Sequence, residues 1–434
     1  MHIAASRPGR LLGLIDADPE ELPALIWAFF AFFTQLTGYY VLRSVRDAAI
    51  AADGARLIPT VFTSVFVCML LLMPVYGAVV SRYPRRQVLP IVYGFVVLSL
   101  VLFSFAFADM GTLALVATAF AIFLSVINLF TDSVFWSFMA DIFSTQQAKR
   151  FYGVIAAGGT AGAIVGPLTT RLIVGHIGVP NLLLLSALLY GICFYCVYRL
   201  VPWARAQEAK QQRPDGELPI GGTILAGARL VLSNPMLFAL VLHMMLGVSL
   251  GTLLYNQQAA VVGAMKLSDV ARNEYFATLD LAINLSALAV QLLLTRPLMV
   301  RFGVAPGLLI PAVLVLVGTG SLALAFSATL LSVVQVVTRS VSFSLVKPSR
   351  ESLFTKVDRE ARYKAKNFID TVAYRGGDMT TSWAYQGLAQ VAGFSLAAIA
   401  GTWFLVAILW IVVVLWLIRL QRDLPETDLK PVTP

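Results

Sequence analysis

The stretch that divides this chain is Pro202-Trp-Ala-Arg-Ala-Gln-Glu-Ala-Lys-Gln-Gln-Arg-Pro-Asp-Gly-Glu-Leu-Pro219, the longest hydrophilic run between its apolar segments. The sequence on both sides is strongly apolar, and hydrophobic residues make up 59% of the 434 positions. A helix needs about 20 apolar residues to cross a bilayer, and six such segments can be placed before this stretch and six after it. The composition therefore predicts an all-α integral membrane protein with twelve transmembrane helices.

The apolar segments and the runs between them define a domain organisation. The predicted spans are 23–49, 57–81, 88–107, 112–140, 150–176, 180–201, 235–262, 273–295, 304–326, 328–347, 366–392 and 396–420. We predict a cytoplasmic N-terminal tail (1–22), an N-terminal six-helix bundle (23–201), a cytoplasmic linker with a short helix (202–234), a C-terminal six-helix bundle (235–420) and a cytoplasmic tail (421–434).

The basic residues are unevenly distributed. Most of the 32 Lys and Arg residues lie in the two tails and in every second gap between the apolar segments. Because cytoplasmic loops retain Lys and Arg, this pattern predicts a multi-pass membrane protein with both termini in the cytoplasm. The net charge of +9 is then explained by this rule and by contact with anionic membrane lipid, and we expect no nucleic-acid partner.

The two halves of the chain resemble each other at equivalent spans. Ser133-Val-Phe-Trp-Ser-Phe-Met139 leads toward Gly158-Gly159, and Ser340-Val-Ser-Phe-Ser-Leu-Val346 leads toward Gly376-Gly377. Two parallel six-helix repeats joined by a long central loop resemble the major facilitator fold. That resemblance implies a substrate site between the halves near the middle of the membrane, with alternating access by rocking of the halves around the site.

The sequence offers little for catalysis. It contains no Gly-x-x-x-x-Gly-Lys-Ser/Thr motif to cradle ATP phosphates and no His-Glu-x-x-His motif or Cys/His cluster, and its three histidines are scattered. We therefore expect no enzymatic activity and no cofactor. A secondary transporter, monomeric in the membrane, is the default interpretation.

Span five carries glycine at intervals of four residues. Gly158, Gly162 and Gly166 place a stripe without side chains on one helix face, which allows another helix to approach closely. Tight packing is one interpretation of this stripe. A surface for close approach during rocking is the other.

A few charged residues lie inside the apolar segments. A charge at the centre of a bilayer costs roughly 2.5–3.5 kcal/mol even on insertion scales, so each one requires a partner, a cavity or a substrate. Arg43 and Arg46 share a helix face near the end of span one, and Arg43 lies one turn before Asp47. An interfacial anchor and a functional charge pair are both open interpretations.

Further arginines lie in spans ten and eleven. Arg339 is about halfway along span ten, and Arg375 lies three residues before Asp378, which can neutralise it. A structural ion pair is the alternative to a binding role. Because guanidinium groups bind phosphate in a bidentate manner and stay charged, arginines inside a membrane suit a multiply charged anion.

Acidic and amide side chains accompany these arginines. Glu274 opens span eight, Asp280 and Asn284 follow one turn apart and deeper, and Asp132 lies in span four. We expect such carboxylates to hold the arginines until a substrate phosphate replaces them. In a proton-coupled mechanism a carboxylate with a raised pKa would take up a proton instead. The candidates for that route are Asp132, Asp280, Asp370 and Asp378.

Four motifs in order carry a more specific resemblance. They are Leu42-Arg-Ser-Val-Arg-Asp47, Phe135-Trp-Ser-Phe-Met-Ala-Asp141, Asn273-Glu-Tyr275 and Lys364-Ala-Lys-Asn-Phe-Ile-Asp370. Over essentially the whole membrane region the chain resembles the nucleotide (ATP/ADP) transporter family of intracellular bacteria and plastids, most closely its bacterial nucleotide-exchange branch. The resemblance implies nucleotide exchange across the membrane, typically external ATP for internal ADP.

That family depends on lysines in spans one and eleven and on glutamates in spans four and eight. Matched position by position, the lysines fall on Arg46 and Arg375, and the span-eight glutamate falls on Glu274. The span-four glutamate has no counterpart, and Asn128 and Asp132 follow one and two turns further on. Arginine keeps the charge of lysine but not its geometry. The resemblance therefore implies an anionic, phosphorylated substrate.

We predict a secondary active transporter or exchanger of nucleotides (ATP/ADP antiport) or of a related phosphorylated anion. The predicted substrate-binding residues are Arg46, Arg375, Arg339, Glu274, Asp280 and Asn284, and the predicted gating or charge-pair residues are Arg43, Asp47, Asp132 and Asp378. A proton-coupled facilitator transporter of another organic solute is the alternative. A membrane sensor that docks a partner through the charged loop 348–366 is a third interpretation.

Overall fold

The computed structural model describes residues 18–82, 85–110, 114–210, 230–354 and 368–422. Helices are the regular elements of these ranges. In chain order they are α1 (Leu22–Ala51), α2 (Ile58–Arg82), α3 (Arg85–Met110), α4 (Ala114–Ile142), α5 (145–177), α6 (179–210), α7 (Pro235–Ala264), α8 (Asp269–Phe302), α9 (Ala305–Leu324), α10 (Ala328–Phe354), α11 (369–391) and α12 (Leu396–Arg422). Most of the predicted linker helix, most of the charged loop 348–366 and the motif residues 364–367 lie outside the described residues.

These helices agree with the predicted membrane class. Within the described part of the chain, nine helical segments are long and apolar enough to cross a membrane, and Ile58–Leu72 is a shorter apolar helix. One of the nine, Arg150–Arg205, runs through most of α5 and most of α6. The prediction of an all-α membrane protein is confirmed, and the number of twelve spans stays a prediction.

A single glycine separates α5 from α6. Gly178 has φ +73°, a left-handed conformation that glycine adopts without the steric cost of a Cβ atom. Pro180, which has no backbone N–H, follows two residues later. The break lies at the boundary predicted between spans five and six.

The start of α7 is encoded locally. The Asn234 side-chain Oδ1 accepts hydrogen bonds from the N–H groups of Met236 and Leu237 at 2.9 and 3.3 Å. Pro235 occupies the first helical position, where its missing N–H has no intrahelical partner to lose. Asn234 and Pro235 therefore begin α7 where the sequence predicts the second bundle to begin.

Wider π-helical turns interrupt three of the later helices. They occupy Gln291–Thr295 in α8, Ser342–Val346 in α10, and both Ile369–Ala373 and Gly387–Val391 in α11. Such turns occur frequently at functional sites. In α11 the two turns flank Tyr374–Gln386, the segment that contains Arg375 and Asp378.

The chain divides into two compact units. Of the described residues, the first contains those within Met1–Ala49, Pro74–Gly216 and Ser268–Leu281, and the second those within Ile50–Met73, Glu217–Leu267 and Ala282–Pro434. In the second unit α12 packs against α7 and α9, and α11 also packs against α7. The domain boundaries read from the sequence stay a prediction.

The glycine stripe of α5 packs directly against α1. A Cβ atom added to Gly158 or Gly162 would lie 2.7 Å from the Phe29 carbonyl oxygen or 2.5 Å from that of Phe33. A Cβ atom on Gly166 would lie 2.7 Å from the Thr37 carbonyl oxygen. These distances are too short for any side chain, so the predicted close approach of another helix is confirmed, and that helix is α1.

The glycine pair of the second repeat has a comparable neighbour. A Cβ atom on Gly377 of α11 would lie 3.3 Å from Val248 Cγ1 and 3.6 Å from the Met245 carbonyl oxygen, both on α7. In each half of the sequence, therefore, the fifth helix packs against the first through at least one glycine of its pair. This shared packing supports the internal repeat.

Candidate functional site

A buried group of charges lies toward the end of α1. Arg46 Nε donates a hydrogen bond to Asp47 Oδ1 at 2.9 Å, and Arg46 Nη2 lies 2.8 Å from the same oxygen. Arg43 Nε lies 3.9 Å from Asp47 Oδ2, as the one-turn spacing predicts. One carboxylate thus stands between two guanidinium groups, which alone would leave an excess positive charge inside the helix bundle.

The residue that balances this charge comes from α8. Asp280 Oδ1 lies 3.4 Å from Arg43 Nη2, and the two side chains are 4% and 8% exposed. The Arg43 guanidinium also lies over the Tyr40 ring, 5.4 Å from its centroid. We name Arg43, Arg46, Asp47 and Asp280 the α1–α8 charge cluster; with two arginines and two aspartates it is formally neutral.

The central ion pair of this cluster keeps unused hydrogen-bonding capacity. Among the described residues, Arg43 Nε and Asp280 Oδ2 are buried without a hydrogen-bond partner. Buried polar atoms without a hydrogen-bond partner are rare in native proteins, because each one costs free energy of folding. A guanidinium and a carboxylate with spare positions can each accept another partner, as a ligand exchange requires.

A second arginine–aspartate pair lies in the other unit, on α11. Arg375 Nη1 is 3.4 Å from Asp378 Oδ2, the i,i+3 pair that the sequence predicts. Asp378 Oδ1 also accepts a hydrogen bond of 2.6 Å from Thr252 Oγ1 on α7. Arg375 Nε is buried without a hydrogen-bond partner among the described residues, and its guanidinium lies 5.2 Å from the Tyr374 ring centroid.

Polar contacts continue from this pair along α7 and α11. Asn256 Nδ2 donates to Ser382 Oγ at 3.2 Å, and Thr381 Oγ1 donates to Ser249 Oγ at 2.9 Å. Trp403 Nε1 of α12 donates to the same Ser249 hydroxyl at 3.1 Å. We name these residues, with Thr252 and Asp378, the α7–α11 polar seam, which holds Asp378 in a defined position within an apolar bundle.

Asp132 of α4 belongs to a separate network in the first unit. Gln35 Nε2 of α1 donates to Asp132 Oδ1 at 2.7 Å, and Tyr93 OH of α3 donates to Gln35 Oε1 at 2.6 Å. Gln35 and Tyr93 are completely buried. This chain of donors ends on the carboxylate and fixes its orientation toward α1.

The other predicted residues have different environments. Arg339 is half-buried in α10, with its guanidinium 5.9 Å from the centroid of the Phe343 ring. Glu274 is exposed near the start of α8, beside Gly175 of α5. Asn284 is buried in α8. The side chain of Asp370, a candidate for proton coupling, lies outside the described residues.

Comparison with known proteins places these sites in a family. The chain belongs to the Major Facilitator Superfamily, whose family model matches residues 28–366, more than half of the chain. Together with the apolar helices, this membership defines a multi-pass membrane protein of the secondary transporter class.

Two relatives share similarity over nearly the full length. The chain is 24% identical to ADP,ATP carrier protein 1 of Chlamydia muridarum over 473 aligned positions, which cover 92% of this chain and 87% of that protein. It is also 24% identical to ADP,ATP carrier protein 1 of Chlamydia pneumoniae over 480 positions, covering 93% and 91%. The resemblance predicted from the sequence is confirmed by these relatives.

Two solved structures share the fold. The nucleoside transporter NupG superimposes with a TM-score of 0.61 at 16% identity, covering 94% of this chain and 100% of that one. A bacterial homologue of the iron transporter ferroportin in an inward-facing state gives a TM-score of 0.65 at 13% identity, covering 91% and 98%. At these identities the similarity concerns the fold alone.

Proposed function

We propose that this protein is a secondary active transporter that exchanges nucleotides, ATP for ADP, or a related phosphorylated anion by alternating access. The two carrier relatives support the nucleotide as cargo. Membership of the facilitator superfamily supports alternating access. We further propose that the chain acts as a monomer in the bacterial inner membrane, with both termini in the cytoplasm, and that it is not an enzyme.

The observation that carries the proposal is the Arg43–Asp280 pair. A buried ion pair has a large desolvation cost that its own attraction offsets only with good geometry. The two side chains are 3.4 Å apart, and each has one buried atom without a hydrogen-bond partner among the described residues. Their attraction therefore offsets the cost of burying the two charges only in part. A phosphate group offers guanidinium shorter, bidentate contacts, so a phosphate that binds Arg46 can compete with the carboxylates of the cluster and open the Arg43–Asp280 pair.

Roles for the remaining predicted residues follow from the same exchange. Arg46 and Arg375 are proposed to bind substrate phosphate, with assistance from Arg339. Glu274, Asp280 and Asn284 are proposed to hold the unloaded site. The proposed gating or charge-pair residues are Arg43, Asp47, Asp132 and Asp378. In the empty protein Asp47, Asp280 and Asp378 then act as internal counter-ions.

A second candidate function rests on Asp378. Asp378 is a buried carboxylate within an apolar bundle, where it contacts Thr252 and Arg375, and a carboxylate at membrane depth is a candidate carrier for a coupled proton. This favours a proton-coupled transporter of another organic solute as the alternative. Uptake that follows an imposed pH gradient and ignores internal nucleotide would select this function.

The direct test of the proposed binding site is the Arg375→Ala variant. Binding of labelled ATP to purified protein should be lost, while the elution profile and thermal unfolding temperature remain near those of the wild type. Arg171→Ala is the matched control because Arg171 is an exposed arginine on α5. Unchanged ATP affinity in Arg375→Ala would remove Arg375 from the site, and wild-type protein without ATP binding would contradict the nucleotide as cargo.

A further inference from the structure

A cavity of about 510 Å³ lies between the beginning of α1 and the end of α6. Its lining includes Pro23 and Trp27 from α1 and Arg199, Trp203 and Arg205 from α6. The apolar segments of both helices end here, so the cavity lies at the depth where a bilayer passes from hydrocarbon to headgroups. On the predicted topology this is the cytoplasmic leaflet.

The charge of the cavity is positive. Arg199 Nη1 donates to Tyr195 OH at 3.3 Å, and its guanidinium lies 5.2 Å from the centroid of the Trp27 ring. These contacts hold the guanidinium at the cavity without neutralising it. Arg205 is exposed, and the described residues that line the cavity include no Asp or Glu. Two arginines therefore face a space that an anion can enter.

The aromatic residues of the lining match this depth. Trp27, Tyr198 and Trp203 stand at the level where Trp and Tyr favour the boundary between lipid tails and headgroups. The indole Nε1 of Trp203 is buried without a hydrogen-bond partner among the described residues. An acceptor atom that reached it would satisfy a donor that the protein itself leaves unmet.

An apolar track leads from the cavity along the two helices. On α1 and α6, large hydrophobic side chains recur at helical spacing with exposed fractions of 39% to 61%. They are Ile26, Phe30, Leu184, Leu188 and Ile192. A side chain exposed in this part of a membrane protein faces lipid tails, so the track provides a surface for an acyl chain that starts at the arginines.

From this arrangement we propose that the cavity binds an anionic phospholipid. The headgroup phosphate lies between Arg199 and Arg205, the glycerol region packs against Trp27 and Trp203, and one acyl chain follows the apolar track. The track distinguishes a lipid from a free phosphate ion, because inorganic phosphate would use the arginines and leave the aromatic and apolar surfaces empty. This site is independent of the transported solute.

The proposal is tested on the full-length protein purified in a mild detergent. Thermal unfolding is followed with added phosphatidylglycerol, phosphatidylcholine, glycerol phosphate or inorganic phosphate. Phosphatidylglycerol alone should raise the unfolding temperature, and native mass spectrometry should show it retained. In Arg199→Gln/Arg205→Gln the retained lipid should bind about tenfold more weakly, the change expected from losing a charge-assisted contact to phosphate.

Two further variants keep the result interpretable. Arg205→Gln changes an exposed side chain, so it provides a folded variant if the double substitution fails to fold, and it should lose part of the lipid retention. Arg171→Gln, an exposed arginine on α5 away from the cavity lining, should keep full retention. Equal stabilisation by phosphatidylcholine, undiminished retention in the Arg205 variant, or the same shift with inorganic phosphate would each overturn the lipid site.

Discussion

Arg43 of α1 and Asp280 of α8 form a buried ion pair, with Nη2 3.4 Å from Oδ1. The two residues come from opposite halves of the sequence, and no local spacing rule connects them. With Arg46 and Asp47 they form a neutral cluster that is nearly closed to solvent. Because the pair is buried, removing one partner should lower the free energy of unfolding, and removing both should not. Transport can be measured on the same variants.

The first prediction concerns removal of one partner of this pair. Asp280→Leu leaves the two buried guanidinium groups of Arg43 and Arg46 with Asp47 as the remaining carboxylate of the cluster, and breaking a buried pair in this way costs about 3–5 kcal/mol. Arg43→Met/Asp280→Leu removes both charges and should recover most of that free energy of unfolding. Thermal unfolding of the single and double variants measures the difference, and transport should be lost in all of them.

The control for this series is Arg171→Met, which removes an exposed arginine and should change the free energy of unfolding little. A double variant as unstable as the sum of its two single variants would show that Arg43 and Asp280 are not energetically coupled. Retained transport in the double variant would contradict the gating role.

A second prediction uses two glycines of the same helix. Gly162→Ala would bring a Cβ atom to 2.5 Å from the Phe33 carbonyl oxygen, whereas a Cβ atom on Gly153 meets no atom within 4 Å. Alanine favours a helix over glycine by about 1 kcal/mol, so Gly153→Ala should be neutral or stabilising. Gly162→Ala should lower the unfolding temperature and the folded yield. Equal behaviour of the two variants would disprove close packing of α5 on α1.

A third prediction concerns the hydroxyl group that contacts Asp378. Thr252→Val keeps the side-chain shape but removes the 2.6 Å hydrogen bond, and hydrogen bonds to charged groups contribute about 1.5–3 kcal/mol. Without that hydrogen bond Asp378 should bind Arg375 more tightly. A substrate phosphate then displaces Asp378 from Arg375 less readily, so the substrate affinity falls. The KM for transport should rise by roughly tenfold.

Thr252→Ser is the matched control for this substitution because serine keeps the hydroxyl group. Its KM should stay near that of the wild type. If valine and serine give the same KM, the Thr252 hydrogen bond does not influence Arg375.

A fourth prediction concerns pH and the start of α1. Glu21 Oε1 accepts hydrogen bonds from Gln147 at 2.6 Å and from Arg150 at 3.0 Å. Burial alone raises the pKa of Glu21, but these bonds, the N–H of Asp18 and the Arg150 charge together lower the pKa below its ordinary value of 4.5. A folded-state pKa below the ordinary value contributes stability at pH values above that ordinary value. This contribution is lost as the pH falls through the folded-state pKa.

Glu21→Gln should therefore reduce the unfolding temperature most at neutral pH, and the difference from the wild type should shrink as the pH falls below 4.5. The exposed neighbour Glu20 supplies the control, since Glu20→Gln should show little difference at any pH. A difference for Glu21→Gln that is constant with pH would mean that the carboxylate charge contributes nothing.

Local periodicity made part of this site predictable. The pairs Arg43–Asp47 and Arg375–Asp378 follow from helical spacing, which brings residues three or four apart onto one face. The stripe of Gly158, Gly162 and Gly166 similarly predicts a close helix neighbour. None of these patterns identifies the neighbour, because that choice depends on how whole helices pack.

Contacts between residues far apart along the chain could not be predicted from the sequence. The sequence predicts that Asp280 binds substrate, but it does not predict the contact with Arg43, because α1 and α8 are far apart along the chain. It also gives no reason to select Thr252, since a threonine in an apolar helix usually bonds to its own backbone. A sign of it in the sequence is the helical spacing of Ser249, Thr252 and Asn256, which places them on one face of α7.

The most direct test of nucleotide exchange is uptake of labelled ATP into liposomes that contain the purified protein. One set is preloaded with ADP and the other is empty, and Arg375→Ala protein serves as the inactive control. We predict rapid ATP uptake that requires internal ADP and is absent from the variant. No uptake in either set, from vesicles shown to contain folded protein, would contradict nucleotide exchange.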